Sequence, residues 1–303
     1  MSLKEAIKAV EDRGRAIGHF NFAESTVAEA AVEAALELGV SVILGTSERE
    51  REFLGEEFVK AIIAQYKEVS PPKEEKPQAA SGGLAIFFNA DHTKSLEKVK
   101  EAVAIGYNSI LFDGSELLLE ENIQRTREVV EYVKKTRPEI LVEGEIGYIG
   151  SGSKVREAVP EGIQLTSVEE AVRFVKETGV DLLAPAVGNV HGMIARKNAD
   201  ATQTDAEPPL NIELIKKIKA AVKIPLVLHG ASGNSDEDIR AAIKAGISIV
   251  HINTEVRIAW QKALHDELHR QPGEIAPYKI MASAKEAAKK VILGKLKLFN
   301  NIV

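Results

Sequence analysis

Short, almost uninterrupted apolar runs recur along this chain with helical stretches between them. In order they are "AIGHFNF" (16–22), "VSVILGT" (40–46), "LAIFFNA" (84–90), "YNSILFD" (107–113), "EILVEGE" (139–145), "VDLLAPAV" (180–187), "IPLVLHG" (224–230) and "ISIVHIN" (247–253). A strand with one face in water alternates apolar and polar residues, whereas continuous apolarity marks a strand covered on both faces. The pattern therefore predicts a parallel sheet wrapped by helices. The approach to a strand is also written repeatedly: "ELGVSVIL", "AIGYNSIL", "ETGVDLLA" and "KAGISIVH". Each predicts a helix ending in a left-handed cap at Gly39, Gly106, Gly179 or Gly246, with a strand beginning at once. Eight such units fit an α/β fold of the (β/α)8 TIM barrel type, with an open doubly wound sheet as the alternative.

Both ends add helices to that frame. "MSLKEAIKAVEDRGRA" predicts an amphipathic N-terminal helix, and "SAKEAAKKVILGKLKLFNN" a C-terminal helical extension packed on the barrel exterior. Two segments break the rhythm: "VSPPKEEKPQAASGG" (69–83) reads as a loop, and "ARKNADATQTDAEPPL" (195–210) as a polar insertion. Neither is apolar enough to form a second core, so residues 1–303 are expected to form one domain.

Composition narrows the chemistry. The chain lacks cysteine, which excludes disulfides, thiolate nucleophiles and Cys-ligated metals, so a metal site must use the seven histidines and carboxylates. A net charge of −6 argues against a nucleic-acid partner. The N-terminal helix lacks the apolar core of a signal peptide, and no apolar run approaches the roughly 18 residues that span a bilayer. The expectation is a cytoplasmic protein with no membrane partner.

In such a barrel, chemistry belongs at the C-terminal strand ends. Those ends bring Asn21, Ser47, Asp91, His92, Asp113, Glu143, Glu145, His191, His229, His251, Asn253 and Thr254 to one mouth. Three histidines obey the rule closely, His92, His191 and His229, and imidazoles converging from different strands make a three-ligand zinc site with an open position. His265 and His269 sit four apart among charged residues and read as a solvated helix face; His19 is assigned no role. "NVHGMI" (189–194) and "LHGASGNSDEDI" (228–239) place small residues beside two of the histidines, where free backbone N–H groups can meet phosphate oxygens.

The ordered set "FNADHTKS", "SILFDGSELLLEENIQRTREVV", "VEGEIG", "GVDLLAPAVGNVHG", "IPLVLHGASG" and "INTEVRIAW" resembles the class II, metal-dependent aldolases of fructose 1,6-bisphosphate or tagatose 1,6-bisphosphate, from about residue 5 to the C-terminus. The resemblance implies a lyase of carbohydrate metabolism and glycolysis, with catalytic Zn²⁺ on His92, His191 and His229. It implies that Asp91 is the acid/base, and that Asp113 and Glu145 are acidic positions suited to a second divalent or a monovalent cation. Ser47, Gly192, Gly230, Ala231, Ser232, Asn253 and Thr254 would hold the dihydroxyacetone-phosphate end. A homodimer or homotetramer is also implied.

Three departures stand out. "HINT" puts His251 where relatives carry a substrate-contacting asparagine, Ala195 stands where many carry a phosphate-contacting lysine, and Ser153 occupies a loop-acid position. With that acid missing, Glu157 and then Glu161 are the expected loop bases, with a water-mediated route third. No strand end offers a lysine for a Schiff base, and "GHFNF" is not the His-x-His of a barrel hydrolase. The fructose substrate is expected first, then the tagatose epimer. The remaining alternative is a catalytically silent paralogue that binds sugar phosphates.

Overall fold

Eight parallel strands close on themselves in the computed structural model, which describes residues 1–67, 84–150, 155–156, 163–194 and 209–302. The barrel runs β1 (Ile17–Asn21), β2 (Val42–Ser47), β3 (Ile86–Thr93), β4 (Ser109–Phe112), β5 (Leu141–Ile146), β7 (Leu182–Pro185), β9 (Leu226–Leu228), β10 (Ile247–His251), and β10 pairs back to β1. Closure rules out the open doubly wound sheet. Two short strands, β6 (Val155–Arg156) and β8 (Met193–Ile194), pair with each other in a separate two-stranded sheet. All eight predicted runs overlap a barrel strand, with β2, β3 and β5 running on past theirs to Ser47, Thr93 and Ile146. The loop 69–83 lies outside the described residues, as does nearly all of the insertion 195–210.

The helices follow in order: α1 (Leu3–Glu11), α2 (Ser25–Leu38), α3 (Glu48–Leu54), α4 (Glu56–Lys67), α5 (Leu96–Ile105), α6 (Leu119–Thr136), α7 (Val168–Thr178), α8 (Ile212–Val222), α9 (Asp236–Ala245), α10 (Thr254–Arg270) and α11 (Pro277–Asn300). Gly39, Gly106 and Gly179 end their helices in the left-handed region as expected. Gly246 departs from the expected αL cap: its φ of 123° is still positive but lies outside that region.

Two packing arrangements decide where a site can form. The apolar face of α1 (Leu3, Ala6, Ile7) packs against Ile17, Ile43, Phe87, Leu141, Leu182, Val227 and Ile249, sealing the N-terminal end of the barrel. That leaves the opposite mouth open for chemistry. On the outside, α11 lies along α2, with Lys285 bridging Glu29 and Glu33 and Lys289 bridging Glu33 and Glu37. Exposed pairs of this kind contribute little individually; buried Ala284, Ala288, Ile292 and Leu296 hold the helix in place. Among the described residues no helix is long and apolar enough to cross a membrane.

Candidate metal centre and active site

Adjacent residues of a regular strand point to opposite faces, yet Asp91 and His92 both reach the mouth. The backbone explains this. β3 shifts register against β4 between Ala90 and Thr93, and His92 adopts a φ of 41°, rare for a residue with a side chain. The irregularity turns His92 back beside its neighbour. Buried Arg51 braces the same strand ends, donating to the Thr46 carbonyl at 2.7 Å, the Asp91 carbonyl at 3.3 Å and the Thr93 hydroxyl at 2.9 Å.

Around His92 the other ligand candidates converge. One ligand atom each from His92, Glu145, His191 and His229 lies within 4.8 Å of all the others. The rings meet edge to face, with centroids 4.9, 5.2 and 5.9 Å apart. Hydrogen bonds choose which nitrogen points inward. His92 Nδ1 lies 2.9 Å from Asp113 Oδ2, and His229 Nε2 lies 2.8 Å from Glu143 Oε1. A carboxylate only accepts, so each of those nitrogens carries a proton, and His92 Nε2 and His229 Nδ1 are the nitrogens left to face a metal. His229 Nδ1 and Glu145 Oε2 are buried without a hydrogen-bond partner. Orphaned polar atoms are costly in a protein interior, and a cation among them removes the cost. The residues fit a metal.

The loops bearing His191 and His229 are locked together. Asn189 donates to the His229 carbonyl at 2.9 Å and accepts from the Val187 N–H at 2.8 Å. Gly230 has φ 59°, and a Cβ there would lie 2.4 Å from the Val190 carbonyl oxygen, so only glycine permits this approach.

Electrostatics separate the carboxylates. Burial opposes the ionisation of Asp91, but His92, His19, His229 and the Asn21 amide together hold its carboxyl well below the usual range. Asp113 is held low as well, against burial, by its bond to His92 and by Ser115. Glu145 behaves oppositely: burial, and then the Asp113 charge, push it up to about 8. Burial opposes the charge on His92, yet Asp91, Asp113 and Glu145 raise its pKa well above the ordinary value. Burial lowers His191 and His251 strongly and takes His19 down to about 4.

Asp91 sits in a network reaching toward the predicted phosphate residues. Asn21 Nδ2 donates to Asp91 Oδ2 and to Glu50 Oε2, each at 2.9 Å. The same Glu50 oxygen accepts from the Ser47 N–H and hydroxyl at 2.7 Å, and its other oxygen pairs with Arg257. Ser47 thus caps α3 at the mouth. Ser232 Oγ accepts from the Thr254 N–H at 3.1 Å, and Asn253 Oδ1 accepts from the Asn21 N–H at 2.8 Å. The loop after β9 (Gly230, Ala231, Ser232) therefore abuts the start of α10. Gly192 directly follows His191. Glu157, Glu161, Ser153 and Ala195 lie outside the described residues.

Sequence reasoning gave no role to two contributors, His19, which stacks on His251, and Glu50, which links Asn21, Ser47 and Arg257; Glu143, expected at the mouth, is the partner of His229. Strand period was the available signal: Glu143 and Glu145, like His19 and Asn21, are two apart and share the inward face. His265 and His269 stay on α10 with rings 4.2 Å apart, away from the mouth as expected.

Comparison with known proteins agrees with this geometry. Residues 1–302 match the family described as fructose-bisphosphate aldolase class-II. A fructose-bisphosphate aldolase of Staphylococcus aureus is 32% identical over 301 residues, covering 99% of this chain and 96% of that protein. A fructose-bisphosphate aldolase of Geobacillus stearothermophilus is 32% identical over 301 residues, covering 99% and 97%. Among solved structures, the YdjI aldolase of Escherichia coli K12 superposes with a TM-score of 0.75 at 28% identity, covering 98% of this chain and 96% of that one. Its closed barrel, its clustered histidines and a family match from end to end make this chain a member of the class II fructose-bisphosphate aldolases, a family of metal-dependent lyases.

Proposed function

We propose that this chain reversibly cleaves fructose 1,6-bisphosphate to dihydroxyacetone phosphate and glyceraldehyde 3-phosphate. The observation that carries the reading is the convergence of His92, His191, His229 and Glu145 beside an ionised, buried Asp91. His92, His191 and His229 would hold Zn²⁺, with Glu145 at the fourth side and Asp113 orienting His92. Asp113 and Glu145 also offer charge for a second cation. Bound Zn²⁺ supplies Lewis-acid stabilisation of the negative charge that develops on the ketone side of the breaking bond.

Asp91 does the proton work. In cleavage it takes the proton of the C4 hydroxyl; the C4–O bond becomes the aldehyde carbonyl as the C3–C4 bond breaks, and the electron pair passes to the C2–C3 enediolate. In condensation it returns the proton. Asn21 fixes the Asp91 carboxylate by holding its other oxygen. Ser47, Gly192, Gly230, Ala231, Ser232, Asn253 and Thr254 are assigned to phosphate, with N–H groups near the start of α10 favouring an anion. His251 contacts the sugar, and a loop carboxylate, Glu157 or Glu161, exchanges the C3 proton.

The relatives' names favour fructose over tagatose bisphosphate. The same reading makes the protein a cytoplasmic, single-domain enzyme of glycolysis, working as a homodimer or homotetramer on a phosphorylated sugar. A coupled assay with each bisphosphate, before and after chelation and zinc return, tests it. Turnover of fructose bisphosphate that chelation abolishes and zinc restores is expected. No turnover of either sugar would leave the silent paralogue standing.

A further inference from the structure

Beside the metal cluster lies a second group of buried polar side chains. His19 and His251 face each other across paired strands, in register in β1 and β10, and their rings stack with centroids 3.5 Å apart and planes within 3°. On its far side His251 packs on His229 at 3.9 Å. His19 is anchored in turn: its Nε2 meets Asn89 Oδ1 at 3.3 Å, and Asn89 Nδ2 donates to Ser109 Oγ at 2.8 Å. β2 runs between His19 and Asn89, and the imidazole crosses it because Gly45 has no side chain there.

Three buried atoms in this group lack a hydrogen-bond partner: His19 Nδ1, His251 Nδ1 and Asp91 Oδ1. Ligand atoms of these three residues lie within 4.8 Å of one another, close enough to suggest a second cation. The stacking argues otherwise. Imidazole lone pairs lie in the ring plane, and two parallel rings 3.5 Å apart send theirs along separate planes that do not meet on one ion. What remains is an unsatisfied pair. His251 Nδ1 stands 3.8 Å from Asp91 Oδ1, too far for a hydrogen bond, and an oxygen about 2.8 Å from each would satisfy both. A carboxylate oxygen accepts, so the complementary tautomer of His251 presents Nδ1–H toward it.

We propose that His251 donates from Nδ1 to the same substrate hydroxyl oxygen whose proton Asp91 removes, and that His19 is the positioning residue holding His251 in that pose. The inference rests on the aldolase reading and deepens it. In cleavage the C4 oxygen donates its proton to Asp91 and accepts from His251; in condensation the His251 N–H polarises the incoming aldehyde carbonyl. No further co-reactant is needed. His229 limits the swing of His251 on one side and His19 on the other, so the donor is oriented before substrate arrives.

The test compares zinc-loaded wild type, His19→Ala, His251→Ala and the double variant with fructose 1,6-bisphosphate, together with zinc content and melting temperature. Removing a donor of this kind typically costs about 10²–10³-fold in kcat, so His251→Ala should fall in that range with KM little changed. His19→Ala should lose roughly tenfold in kcat, and the double variant should match His251→Ala because both act through one contact. Should His19→Ala fail to fold, Ser109→Ala loosens the anchor from outside; its smaller loss should also vanish in the His251→Ala background. A second readout needs no turnover: in metal-free, ¹⁵N-histidine-labelled protein, a non-cleavable hexitol 1,6-bisphosphate should shift the His251 Nδ1 resonance. Losses that multiply in the double variant, a change confined to KM, or an unmoved resonance would each overturn the proposal while the aldolase reading stands. A wild type inactive on every ketose bisphosphate would remove both.

Discussion

His229 and Glu143 form a hydrogen bond of 2.8 Å with both side chains 1% exposed, and that bond decides which imidazole nitrogen faces the histidine cluster. With Nε2–H committed to the carboxylate, Nδ1 is the atom left to face a metal. Outer partners of this kind typically contribute 10–100-fold in metal affinity. Glu143→Ala should therefore weaken zinc binding by about that factor, and Glu143→Gln by less, since its amide oxygen can still accept. Competition against a chromophoric chelator measures this. Equal zinc affinity in wild type and Glu143→Ala would remove Glu143 from the site.

Asp91 and His92 are neighbours in the chain with separable failures. His92→Ala deletes a ligand candidate, so zinc content and turnover should fall together. Asp91→Asn keeps the shape and the backbone contact to Arg51 while deleting only the proton acceptor. Its kcat should drop about 10²–10⁴-fold with zinc content intact. Elemental analysis alongside steady-state kinetics separates the two outcomes, and a fully active Asp91→Asn would end the acid/base assignment.

The barrel was legible because its strands are covered on both faces, which forces eight continuous apolar runs. The three histidines were legible because this fold delivers strand ends to one mouth. Less visible were residues that act through a partner. Glu143 is legible as a mouth residue, but its partner His229 appears only once β5 sets it on the inward face. His19 gained its neighbour from the β1–β10 register, which no local pattern encodes. His92 shows the same limit from the other side: strict strand alternation would have turned it away from Asp91, and the register shift in β3 reverses that.

Zinc affinity should depend on pH with a definite sign. In the metal-free protein, burial and the Asp113 charge push Glu145 up to about 8, so below that value the site holds a proton that zinc must displace. Affinity should rise from pH 6 to pH 8, by up to about tenfold per unit for each proton released, and Glu145 adds no further slope above that value. The folding contribution runs the other way. Folded metal-free protein keeps on Glu145 a proton that the unfolded chain releases near its ordinary pKa of about 4.3. Glu145 therefore favours the fold least as pH climbs through about 8, and zinc-loaded protein should be spared that loss. Zinc titrations and melting curves at pH 6, 7, 8 and 9 check both signs; a flat zinc affinity would contradict the first.

Gly45 offers the last prediction, because two side chains of β1 reach across the space where its own would be. A Cβ built there lies 2.2 Å from His19 Cε1 and 2.5 Å from Asn21 Oδ1, distances no real side chain tolerates. Gly45→Ala must push His19 off its stack on His251, or Asn21 off Asp91, or both. Overpacking of this kind costs about 1–3 kcal/mol, and here the strain falls on residues that orient the proton acceptor. No metal ligand is touched, so zinc content should be unchanged while kcat and melting temperature both fall. Gly294 inside α11 is the control, since a Cβ there meets nothing within 4 Å. Gly294→Ala should raise stability by about 0.5–1 kcal/mol and leave kcat alone. If Gly45→Ala melted and turned over like wild type, the inner layer would be looser than these distances imply, and the crowding that holds His19 against His251 would not exist.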